Sequence, residues 1–76
     1  MLDTNKIEIL LEGQFSGDEI VVGGGDGKYQ VSIVSDFFAG LNQVKRQQAV
    51  YKILNEHIAS GAIHAVSMRL KTPDES

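Results

Sequence analysis

The 76 residues leave room for one domain and one core, because a chain of this size buries only ~60% of the surface that it exposes when unfolded. Apolar residues make up 42% and charged residues 22%, which suits a soluble domain. The net charge of -3 (ten acids, seven bases) argues against non-specific binding to phosphate backbones. Cysteine is absent, which excludes disulfides, thiolate catalysis and cysteine-held zinc, so any metal site must use His, Asp or Glu.

The N-terminal "MLDTNKIEILLEG" has an acid at position 3 and only a short apolar run, unlike a signal peptide. The expected setting is soluble and cytoplasmic, with no membrane contact. Asp3 or Thr4 caps a first helix whose Ile7, Leu10 and Leu11 stand at helical spacing. Gly13 is expected to end it in the left-handed conformation. After a loop from Gln14 to Asp18, in which Phe15 returns to the core, Glu19 to Gly23 reads as a short strand. Lys28 to Ser35 reads as a longer one, with Tyr29, Val31 and Ile33 alternating with Gln30, Ser32 and Val34. Asp26-Gly27 predicts a type I′ hairpin turn between them.

Ser35 or Asp36 then caps a brief helical turn holding Phe37 and Phe38, stopped by Gly40. A long helix is predicted from Asn42 to about Ser60. Its stripe is Val50, Ile53, Leu54 and Ile58, with Val44 and Tyr51 flanking, and Gly61 ends it. Ile63 to Leu70 is predicted as the last strand, with His64, Val66, Met68 and Leu70 on one face. The ordered core is expected over about residues 3–72 of a single 1–76 domain, with 73–76 a frayed tail. The order α-β-β-α-α-β defines an α+β fold. Its three-stranded mixed sheet has helices on one face, and the third strand lies parallel to the second after a right-handed crossover.

The run "GGGDGK" invites a phosphate-loop reading, but it enters a strand rather than a helix. It matches neither dinucleotide nor P-loop spacing, and Asp26 brings a negative charge. It is read as a hairpin bend that is exposed enough to serve as a contact surface. His64 in "AIHAVSMRL" is either a hydrogen-bonded structural histidine at the strand rim or a metal ligand. His57 lies near a helix C-terminus, where an imidazolium meets the dipole favourably. Lys45, Arg46 and Lys52 read as a solvated helix face or a nucleic-acid contact. No nucleophile, base and orienting residue come together in the pattern, so stand-alone catalysis is not expected.

The order of elements, with "VSDFFAGLNQVKRQQAVYKIL" and "IHAVSMRLKTP", resembles the BolA family, most closely its shorter bacterial branch. The resemblance covers roughly Glu19 to Pro73 and implies a fold similar to class II KH domains. It also implies a monothiol glutaredoxin partner and a [2Fe-2S] cluster shared with that partner and glutathione, none of it held by the isolated chain. The role in view is cluster trafficking, iron homeostasis or stress response. By this resemblance His64 is the candidate cluster ligand, and partner contacts fall on Gly24, Gly25, Gly27, Lys28, Lys45, Arg46 and His64. Related loops often add a Cys or His. This one has neither, and Asp26 offers only a carboxylate oxygen, a hard ligand for such a site. The alternative is a KH-like DNA-binding regulator acting through Lys45, Arg46 and Lys52, although no G-x-x-G loop lies between the helices. Homodimerisation stays open.

Overall fold

The structure, a computed structural model, describes residues 2–75. Helix α1 spans Thr4–Glu12, and the carboxylate of Asp3 caps it by accepting from the Lys6 N–H at 2.9 Å. Ile7 and Leu11 are buried, as their spacing requires. Gly13 departs from expectation: its backbone stays right-handed at φ -59, ψ -34. The helix therefore runs on into a turn, and Phe15 N–H bonds Leu11 O at 2.9 Å.

Strand β1, Glu19–Gly25, runs two residues past the predicted end. It pairs antiparallel with β2, Lys28–Val34, up to Gly25 opposite Lys28. Asp26 and Gly27 are the two turn residues, with φ values of 54 and 82, the paired positive values of a I′ bend. Just before it, Gly24 has φ 102, and a Cβ there would stand 2.3 Å from the Lys28 carbonyl oxygen. Gly24→Ala is therefore expected to cost about 1–3 kcal/mol through backbone strain. Gly25→Ala, which meets nothing within 4 Å, should change little. Urea titration compares the two, and equal midpoints would contradict the close approach.

Ser35 is a cap rather than the end of β2: its Oγ accepts from Phe37 N–H at 3.0 Å and starts the 3-10 turn Asp36–Phe38. Phe15, Phe37 and Phe38 form a ring cluster, with centroids 5.3 to 5.8 Å apart. Helix α2, Gln43–Ala59, is capped by Asn42, whose Oδ1 accepts from Lys45 N–H at 2.9 Å. Gly61, at φ 85, lies just past it as predicted. Val50 and Leu54 are fully buried and Ile53 and Ile58 pack against the core. Val44 and Tyr51, expected beside the stripe, are instead exposed by 62% and 41%.

Strand β3 is Ala65–Lys71 and pairs parallel with β2, from Lys28 opposite Ala65 to Val34 opposite Lys71. It begins two residues later than predicted. Ile63 is consequently free to turn inward and is buried, while His64 is exposed rather than sharing the apolar face of Val66, Met68 and Leu70. The sheet order is β1-β2-β3. Tyr29, Val31, Ile33 and Leu70 supply its core face, on which Ile7, Leu11, Phe15, Phe38, Val50 and Leu54 close. The α+β sandwich is as expected. The end of the chain is not: Pro73–Glu75 forms a 3-10 turn tied to α2, and Ser76 lies outside the described residues.

Candidate functional site

The turn Asp26-Gly27 and the start of β3 meet at one end of the sheet. The Gly27 carbonyl accepts two backbone N–H groups, from His64 at 2.7 Å and from Ala65 at 3.1 Å. The imidazole lies over Gly27, where a Cβ would come within 3.2 Å of its Cγ and Nδ1. A glycine here both permits the positive φ and makes room for the ring. His64 is thus an exposed ring fixed at its base by two backbone bonds and backed by the hairpin. Gly27→Ala is expected to lose about 1–2 kcal/mol from the left-handed backbone and to displace the ring. Histidine ring shifts by NMR check this, and an unmoved ring would contradict the packing.

Gly24, Gly25, Asp26 and Lys28, all exposed, surround this end. Here the structure does bring several candidate residues together. Lys45 and Arg46 lie elsewhere, at the start of α2. The Arg46 guanidinium reaches the Leu70 carbonyl near the far end of β3, a strand's length of about 20 Å from His64. Lys52 is exposed further along α2. His57 is half-buried and lines a separate shallow groove with Asp3 and Lys6 of the first helical turn.

Arg46 requires a correction. Read as a solvated docking or DNA-contacting base, it is only 5% exposed. Its Nε donates to Leu41 O at 2.8 Å, Nη1 to Leu70 O at 3.1 Å, and both Nη atoms to the Glu75 carboxylate at 2.6 and 3.1 Å. The guanidinium carbon also stands 5.9 Å from the Phe38 ring centroid. Glu75 in turn accepts from Thr72 N–H at 2.9 Å. The hydrogen bond from Arg46, then that from Thr72, lowers the Glu75 carboxyl from 4.5 to about 2, and the same contact with Glu75 raises the guanidinium. A group with its donors committed in this way joins elements and leaves Lys45 and Lys52 as the exposed bases of α2.

Among the described residues, no three His, Cys, Asp or Glu side chains group as a metal site. The hairpin end offers one imidazole, with a carboxylate on the adjoining turn. That donor set fits one ligand position of a metal centre completed by a partner's thiolates and does not fit a self-contained cluster site. No helix among the described residues is long and apolar enough to cross a membrane.

The sequence model of the BolA-like protein family matches residues 2–75. The protein belongs to the BolA family. It is 40% identical over 74 residues to the acid stress protein IbaG of Escherichia coli K12, covering 97% of this chain and 88% of that one. The fold matches that of BolA1 from Arabidopsis thaliana with a TM-score of 0.86 at 31% identity, over 100% of this chain and 99% of the other. The BolA domain of SufE1 from the same plant gives 0.87 at 31% identity, with both chains fully covered.

Proposed function

We propose that this protein is a BolA-type accessory protein that docks on a monothiol glutaredoxin and lends the His64 imidazole to a shared [2Fe-2S] cluster. The observation that carries the reading is the setting of His64: an exposed ring at the hairpin end, anchored through its own N–H and that of Ala65 to Gly27 O. Pre-positioning lowers the entropic cost of presenting a donor atom to a partner. The cluster would supply iron with an affinity for imidazole nitrogen, while thiolates from the partner and glutathione complete its ligands. With no cysteine, this chain gives the centre a single histidine, an arrangement suited to handing the cluster on. Likeness to an acid stress protein supports a place in stress response, and the likeness to a BolA domain carried by a SufE1 protein supports action through other proteins. The contact surface under this reading is Gly24, Gly25, Asp26, Gly27, Lys28 and His64. Lys45 is not part of this surface, because the start of α2 lies beside the far end of β3, where the neighbouring Arg46 reaches Leu70 O.

The test is anaerobic assembly with a monothiol glutaredoxin, glutathione, iron and sulfide, followed by visible absorption and circular dichroism. Wild type is expected to convert the glutaredoxin spectrum to that of a mixed complex. His64→Ala is expected to abolish the conversion while its far-ultraviolet spectrum stays native, because the exposed ring is no part of the core. A glutaredoxin spectrum unchanged by wild type would defeat the cluster role. A conversion retained by His64→Ala would remove His64 from it.

A further inference from the structure

The face of the sheet turned away from the helices carries a polar set that the cluster reading does not use. In register, Ser32 stands beside Arg69, and Gln30 lies between Gly23 and Ser67. Adjacent strands lie about 4.8 Å apart and alternate residues of one strand about 6.7 Å apart. Four side chains able to donate hydrogen bonds therefore share a patch of roughly 5 by 7 Å. A shallow groove of about 500 Å³ runs over them, edged by Val21, which is 57% exposed. Among the described residues, the Arg69 guanidinium has no ion pair or hydrogen bond, in contrast with Arg46.

The groove is open because β1 has no side chain at Gly23. That absence is not imposed by the fold: Gly23 has no positive φ, and a Cβ there would meet only the Gln30 Oε1, at an ordinary 3.7 Å. A glycine inside a strand weakens it, and close approach of another molecule is one of the few reasons for a strand to keep one that neither a turn nor packing requires.

We propose that this face docks an acidic peptide segment of a partner protein, with Arg69 gripping a carboxylate and Ser32, Ser67 and Gln30 donating around it. Charge complementarity selects the occupant. The outward positions carry Lys28, Arg69 and Lys71 against Glu19 alone, a positive face on a chain whose net charge is -3. A second copy packed face to face would set like charges against each other. The face also bears no aromatic ring, and open sheets that hold single-stranded nucleic acid depend on such rings for stacking.

The experiment titrates the 15N-labelled full chain, at constant ionic strength and without glutaredoxin, iron or glutathione, with hexaglutamate blocked at both ends. Saturable amide shifts are expected on Gly23, Gln30, Ser32, Ser67 and Arg69. Arg69→Gln should raise the apparent Kd about tenfold or more, since a charge-assisted bond is lost. Gly23→Val should fill the groove and weaken binding comparably without altering charge or fold. Lys45→Gln should bind as wild type does. Shifts centred on Lys45 and Lys52, or none that saturate, would overturn the proposal. So would equal shifts from inorganic phosphate at the same concentration, which would make this a free-anion site. Because no cluster component is present, the result stands apart from the fate of His64.

Discussion

Phe38→Ala is expected to cost about 3–5 kcal/mol, the usual range for removing a fully buried aromatic. The domain as a whole is worth only about 4–11 kcal/mol by the per-residue norm for small proteins. The ring is fully buried, contacts Phe15 at 5.3 Å and Phe37 at 5.8 Å, and lies beneath the Arg46 guanidinium. Its loss would open a cavity where the 3-10 turn, the Phe15 loop and α2 converge. In urea the unfolding midpoint should fall by about a quarter or more while the slope is preserved. Phe37, 45% exposed, provides the contrast. Phe37→Ala should cost less than half as much, and equal losses would mean that the cluster is not organised around Phe38.

The second large effect lies in the tail. Glu75→Gln should replace a charged, two-pronged contact with a neutral one and lower the thermal midpoint at pH 7. Its pH dependence is the sharper test. The folded-state carboxyl sits at about 2 instead of 4.5, so over that window the unfolded chain binds more protons than the native one, and stability rises with pH. The contribution is complete above about 4.5 and vanishes as the pH falls through about 2. The gap between wild type and Glu75→Gln should therefore be flat from pH 7 to 5, narrow below about 4.5 and close near 2. A gap of constant size across that window, or none at neutral pH, would show that the pair does not operate in solution. The partly exposed carboxylate, 46% open to water, predicts that salt will shrink the effect.

Most of the architecture was legible because its signals are local. Alternation in "KYQVSIV" and the Asp26-Gly27 turn set the hairpin, and the spacing of Val50, Leu54 and Ile58 set α2. His64 was singled out by its motif, but its surroundings were not: the strand starts one residue after it, and its backing by Gly27 depends on a contact between distant segments. Arg46 misled for a similar reason. A base in the first turn of a helix beside Lys45 reads as solvated, and nothing nearby discloses that Glu75, 29 residues away, will draw it inward. The acidic end of the chain, read as frayed, is the other half of the same misreading. Gly13 failed differently: the position was right, but the turn continued right-handed, so the expected conformation was not needed. The Arg69 face was half visible as alternation in two strands. Only the parallel register set the two sets of polar residues side by side.

The pair of hydrogen bonds donated to Gly27 O by the His64 and Ala65 N–H groups also governs when the candidate site comes into being. A newly made chain can close the hairpin early, since Gly25 and Lys28 are near neighbours. The imidazole acquires its seat only when the last strand arrives. The other ties across the molecule are similarly long in sequence: Tyr29 to Leu2 over 27 residues, Arg46 to Leu70 over 24. Such closures are slow steps, because ordering the intervening loop precedes the reward. Docking of β3 is therefore the step that completes the seat of the His64 ring, and until it occurs the hairpin end lacks its histidine.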